Sequence, residues 1–109
     1  MSVQEVNQSA IKQPLVIKIG GAILEDISAL LKLLSATKSL NGHKVVLVHG
    51  GGIIVDEMLL QAGLKSEKLN GLRITPKSHM PIISGALAGT VNKTIVAHAN
   101  EQGLSAVGI

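Results

Sequence analysis

Residues 47–59, LVHGGGIIVDEML, place three consecutive glycines directly after an apolar run and directly before a helix-like pattern. Glycine loses more backbone freedom on folding than any other residue, so a triplet at such a junction needs a physical reason. Upstream, HKVVLVH (43–49) has the β-branched character of a strand buried on both faces, as in a parallel sheet covered by helices. Downstream, Ile54, Val55, Met58, Leu59 and Ala62 share one broad helix face, and Gly63 is a natural stop. Strand, glycine turn and helix in that order are the repeating unit of an α/β fold.

The same order occurs once before. PLVIKIGG (14–21) reads as a second buried strand closed by paired glycines. A helix follows, with Ile27, Leu30, Leu31 and Leu34 at helical spacing, Asp26 as its cap and Gly42 beyond its end. On the other side, EKLNGLRIT (67–75) has Asn70-Gly71 between leucine-bearing segments, the signal of a two-residue hairpin turn. Thr75-Pro76 suggests a helix start, Pro81 a kink or a later start, and the helix runs to about Gln102 with Gly103 after it. LSAVGI (104–109) reads as a further buried strand.

The expected fold is therefore a three-layer α/β/α sandwich with a mainly parallel sheet. Residues 1–13 are polar and aperiodic, which suggests a flexible tail ahead of a folded part at 14–109. Because the sequence stops at an apolar strand that needs neighbours and cover, 14–109 is expected to be the N-terminal part of a longer enzyme.

Composition narrows the function. The 109 residues are 46% hydrophobic and only 16% charged, enough apolar content for a core and too little charge for a disordered chain. There is no Phe, Tyr or Trp, so no base-stacking platform can be built. The lysines behind the net charge of +3 are dispersed, which argues against a nucleic-acid partner. With no cysteine, no secretory signal and no apolar run near membrane-spanning length, a cytoplasmic protein without a membrane partner is expected.

The chemistry is concentrated at the glycine junctions. In a parallel α/β sheet both junctions fall at the carboxyl edge, where ligands of such folds bind. Glycine allows close backbone approach, and the helix start behind it offers free N–H donors to anionic oxygens. Lys18, two residues before Gly20, would carry a cation inside a buried strand, a costly placement unless an anion neutralises it. Arg73, the only arginine, follows the hairpin turn and could grip a carboxylate in two-pronged fashion, although its position alone decides nothing. His49 is expected to brace its glycine loop, and Asp56-Glu57 to form the solvated side of a helix. The four histidines show no metal-ligand spacing, and no carboxylate stands out as a metal ligand, so no protein metal site is expected.

Other glycine-based chemistries fit less well. Neither GxxxxGK[ST] nor GxGxxG occurs. HGGG (49–52) matches the oxyanion loop of lipases, but no GxSxG elbow accompanies it. A non-catalytic small-molecule binding module is the alternative of a different class.

PLVIKIGGAIL, VVLVHGGGIIVDEML, KLNGLRIT and ISGALAGTVNKTIVAHA together resemble the acetylglutamate branch of the amino-acid kinase family, from about Pro14 to Ile109. That resemblance implies transfer of the γ-phosphoryl of ATP, supplied with Mg2+, to the side-chain carboxylate of N-acetyl-L-glutamate in arginine biosynthesis. It implies that Lys18 bridges the phosphoryl group in flight and that Gly20 and Gly21 contact ATP phosphate through their backbone. It further implies that Gly51 and Gly52 hold the acylated amino acid, and that Arg73 binds its carboxylate from a hairpin over the site. The resemblance also implies a homodimer or higher homo-oligomer for the full-length protein, since family members usually form at least homodimers. Those members are more than twice this length, and their C-terminal half supplies the nucleotide pocket, so residues 1–109 alone are expected not to turn over ATP. A sister kinase for an aminoadipate derivative remains the near alternative.

Overall fold

The computed structural model describes residues 13–40 and 42–109. Apart from Gln13, the expected N-terminal tail lies outside the described residues. The chain divides into two compact units, residues 1–49 and residues 50–109.

In the first unit, β1 (Leu15–Ile19) and β2 (Val45–His49) form a parallel pair, joined through α1 (Gly21–Glu25) and α2 (Ile27–Thr37). The register runs from Leu15 opposite Val45 to Ile19 opposite His49, and the Leu15 N–H donates to the Lys44 carbonyl at 2.9 Å. Asp26 separates the two helices. Its extended backbone ends α1, and its Oδ1 caps α2 by accepting from the N–H groups of Ser28 (3.0 Å) and Ala29 (3.4 Å) and from the Ser28 hydroxyl (2.9 Å). Ile19, Leu30 and Leu34 are buried, the last two on one face of α2 at the expected spacing.

Strands buried on both faces are not found in this unit. Along β1 and β2 burial alternates, with Val16, Lys18, Val46 and Val48 on the open side. A strand alternates its side chains between faces, so a half-covered two-stranded pair necessarily exposes every second residue. Within these residues Lys18 is exposed on the open face of β1 rather than enclosed in a covered strand.

In the second unit, α3 (Gly52–Gln61) leads to a hairpin of β3 (Glu67–Leu69) and β4 (Leu72–Ile74), antiparallel, with Lys68 opposite Arg73. The turn residues Asn70 (φ 51°) and Gly71 (φ 79°) are both left-handed, as the tight hairpin turn requires. A 3-10 turn (Lys77–His79), α4 (Met80–Ser84), a π-helical segment (Gly85–Val91) and α5 (Asn92–Glu101) follow without a break. The core joins Val55 and Leu59 of α3 to Ile83 and Ala86, with Met58, Leu64, Ile82 and Leu87 packed around them.

Thr75 caps nothing. The first helical turn begins at Lys77, and Pro81 sits near the start of α4, where its missing N–H costs no hydrogen bond. Residues 104–109 show the period-two exposure of a strand, yet pair with no strand among the described residues. Side chains of α5 hold them instead: Asn100 Oδ1 accepts from the Ala106 N–H (2.9 Å), and Lys93 Nζ donates to the Gly108 carbonyl (3.1 Å).

Candidate functional site

Each glycine of the triplet 50–52 meets a different demand. Gly50 has open space where a Cβ would project and lies outside the left-handed region. Gly51 has φ +154°, and a Cβ there would come within 2.8 Å of Val91 Cγ2 and 3.2 Å of Leu87 Cδ2, both on the π-helical segment. Gly52 is the first residue of α3 and faces the Arg73 guanidinium, whose Nη2 would lie 3.9 Å from an added Cβ. Gly51 also occupies the N-cap position, so no side chain covers the helix start, and the first helical bond runs from the Val55 N–H to its carbonyl (2.9 Å). The amide donors of the opening turn are thereby left uncapped, at the end where the helix dipole favours negative charge.

Arg73 is brought to this helix start from β4. Its Nη1 donates to Asp56 Oδ1 (2.6 Å) and to Ser66 Oγ (2.5 Å), and its Nη2 to the Gly52 carbonyl (3.3 Å). The Asp56 carboxylate also faces Lys68 Nζ at 3.6 Å. Cross-strand neighbours of like charge repel, and one carboxylate between Lys68 and Arg73 relieves that repulsion. The Arg73 hydrogen bond is the largest influence holding the Asp56 carboxyl below its usual range; burial opposes it, while Ser66 and the charges of Arg73 and Lys68 add to it. Two cations and one carboxylate leave the cluster with one net positive charge, suited to an anionic ligand.

Of the residues singled out in the sequence, the second unit therefore brings Gly52 and Arg73 together, with Gly51 packed beneath the helix start. In the first unit, Lys18 is opposite Val48 on the open face of β1, and Gly20 and Gly21 follow as the N-cap and first residue of α1. Gly20 has an ordinary extended backbone (φ −77°, ψ 165°) and open space at its Cβ position, so nothing within the described structure demands a glycine there. His49 closes β2 opposite Ile19.

Sequence reading missed Asp56, Ser66 and Lys68. A signal for Asp56 was present: it stands four residues after Gly52, one helical turn along the same face, and a lone arginine in a hairpin calls for a counter-charge. Among the described residues, no group of three or more His, Asp or Glu is placed to hold a metal ion, and no helix is long and apolar enough to cross a membrane.

The parallel β-α-β pair of the first unit and the glycine-led helix of the second are elements of an α/β protein. The pattern of the amino acid kinase family matches residues 13–109, and the chain belongs to that family. Among curated relatives, the chain is 63% identical over 97 residues to an acetylglutamate kinase of Colwellia psychrerythraea (strain 34H), covering 89% of this chain and 37% of the relative. It is 52% identical over 99 residues to an acetylglutamate kinase of Moritella profunda, covering 88% of this chain and 38% of the relative. The chain thus spans well under half the length of these relatives.

Two solved structures share the fold. The Streptococcus mutans UA159 protein smu.665 superposes with a TM-score of 0.72 at 31% identity, over 85% of this chain and 38% of the other. N-acetylglutamate synthase from Neisseria gonorrhoeae, complexed with coenzyme A and L-arginine, superposes at 0.58 with 23% identity, over 95% of this chain and 24% of the other.

Proposed function

We propose that residues 14–109 supply the amino-acid-binding part of an acetylglutamate kinase, which transfers the γ-phosphoryl of ATP to the side-chain carboxylate of N-acetyl-L-glutamate. An oxygen of that carboxylate attacks the γ-phosphorus. The bond from phosphorus to the β–γ bridging oxygen breaks, and ADP leaves with the bonding pair. Such a transfer depends on positioning and charge neutralisation more than on covalent help from the protein. Arg73 and the opening amides of α3 at Gly51-Gly52 hold the acylated amino acid. Lys18 neutralises charge on the transferring group, and the backbone at Gly20 and Gly21 approaches ATP phosphate. None of the described residues is assigned as a ligand of the Mg2+ that accompanies ATP.

The observation that carries this reading is the Arg73 Nη2 contact with Gly52 at an uncapped helix start. It provides a cation and amide donors side by side for a small carboxylate. The identity to acetylglutamate kinases favours the N-acetylglutamate substrate over a longer acylated amino acid.

The test is an ADP-release assay on the full-length gene product containing residues 1–109, with N-acetylglutamate, N-acetylaminoadipate and free glutamate as acceptors. ADP release that depends on N-acetylglutamate is expected. Preference for the aminoadipate derivative would move the protein to the sister activity, and release with no acceptor dependence would overturn the kinase reading.

A further inference from the structure

Asp56 is half-exposed on α3, where its carboxylate meets Lys68 and Arg73 of the hairpin. The donor inventory of Arg73 points to a further consequence of that pairing. A guanidinium has five N–H donors, two on each terminal nitrogen and one on Nε. Both Nη1 donors have acceptors, Asp56 Oδ1 and Ser66 Oγ, and one Nη2 donor faces the Gly52 carbonyl. Among the described residues, that leaves the Nε–H and one Nη2–H without an acceptor. Nε and Nη2 are adjacent nitrogens on one edge of the planar group, and two donors are the number a carboxylate accepts in a forked pair.

We propose that Asp56 is a positioning residue for the substrate carboxylate, clamping Nη1 of Arg73 with the help of Ser66 so that the Nε–Nη2 edge faces the ligand. This rests on the acetylglutamate reading above. The chemistry excludes the other ordinary role for a carboxylate at such a site. The acceptor is already a carboxylate anion at neutral pH, so there is no proton for a general base to remove. Asp56 is also engaged on both oxygens, by Arg73 and by Lys68, which fixes it as an acceptor. Without it, the long Arg73 side chain would regain its rotamer freedom, and each binding event would have to order it again.

The experiment is a double-mutant cycle in the full-length gene product, measuring KM for N-acetylglutamate and for ATP separately, with thermal unfolding followed in parallel. Asp56→Asn keeps the shape of the side chain and removes its charge. It should raise the acetylglutamate KM about tenfold and leave the ATP KM within about twofold. In an Arg73→Ala background the same change should add less than about twofold, because the residue it positions is gone. Asp56→Glu should recover part of the loss, and Glu57→Ala, on the neighbouring exposed position, should change neither KM. A residue serving only stability would lower the folded fraction, and so kcat, without moving KM.

If Arg73→Ala raises the acetylglutamate KM while Asp56→Asn leaves it unchanged, or if the two effects multiply in full, the positioning role is overturned and the substrate reading stands. If Arg73→Ala itself leaves that KM unchanged, the substrate site has been misplaced, and the role of Asp56 falls with it.

Discussion

A Cβ on Gly51 would stand 2.8 Å from Val91 Cγ2, closer than real side chains approach one another. The clash is with a β-branched residue that is 6% exposed, and the Gly51 backbone is at φ +154°, where L residues are strained. Gly51→Ala should therefore destabilise the chain by about 2–4 kcal/mol in urea unfolding. Gly50→Ala, next to it, should stay within about 0.5 kcal/mol. Part of the Gly51→Ala loss should disappear in a Val91→Ala background, since the methyl it meets is gone. Equal costs at Gly50 and Gly51 would show that the π-helical segment does not pack on the loop.

Two helices end by the same device. Gly63 (φ 76°) follows α3, with the Leu64 N–H bonded to the Leu59 carbonyl (2.8 Å) and the Gly63 N–H to Leu60 (2.9 Å). Gly103 (φ 87°) follows α5, with Leu104 bonded to Ala99 (3.0 Å) and Gly103 to Asn100 (3.0 Å). Both are Schellman caps, in which a left-handed residue turns two amides back onto the final carbonyls. Gly63→Ala and Gly103→Ala should each cost about 1 kcal/mol, read as a lowered urea midpoint with an unchanged slope.

These caps, the Asn70-Gly71 turn and the Asp26 cap were legible in the sequence because each is a local matter of backbone angle or of a side chain reaching its own neighbours. Long-range features were not. Asp56 and Glu57 look alike as adjacent acids on a helix, and only the return of the chain 17 residues later singles out Asp56 for Arg73. GALAGTV (85–91) has no local signature that separates a π-helical from an α-helical path. The apolar runs of β1 and β2 indicate strands correctly, whereas 104–109 carries the same pattern and forms no strand, because the partner a strand needs is not encoded within the run itself. For the candidate site, Gly52 and Arg73 could be named in advance, whereas the pairing of Arg73 with Asp56 and Ser66 could not.

Acid should weaken the fold through two identified carboxylates. The Ser28 hydroxyl is the largest influence lowering the Asp26 pKa, followed by the Ala29 amide, and Arg73 is the largest for Asp56. A folded-state value below the unfolded one means that the unfolded chain binds protons more readily. The stabilisation is thus complete above the ordinary carboxylate pKa of about 4 and is lost as pH falls through the depressed folded values. Melting temperature should be flat from about pH 7 to about pH 5 and decline below about pH 4. Asp26→Asn and Asp56→Asn should each lower the plateau and make the acid decline shallower. A decline of unchanged steepness in both variants would assign the acid sensitivity elsewhere.

Gly20 separates folding from ligand contact. Its backbone angles suit any residue, and a Cβ there would meet nothing within 4 Å. Gly20→Ala should therefore leave urea stability within about 0.5 kcal/mol. If ATP phosphate approaches this backbone in the full-length gene product, the added methyl should raise the ATP KM about tenfold or more and spare the acetylglutamate KM. An unchanged ATP KM would remove Gly20 from the phosphate contacts.

Lys18 allows the same separation for catalysis. It lies on the open face of β1 opposite Val48, so its ammonium remains solvated and its removal exposes no buried partner. Lys18→Ala should accordingly change urea stability by no more than about 0.5 kcal/mol. A cation that meets the phosphoryl group only as charge develops contributes to the transition state and little to ground-state binding. In the full-length gene product kcat should then fall about a hundredfold or more, with the acetylglutamate KM within about threefold of its starting value. Lys18→Arg keeps the charge but changes its reach and geometry, so it should recover only a part of that loss. A rise in the acetylglutamate KM with kcat preserved would make Lys18 a binding residue and leave the transferring group without its cation in this part of the chain.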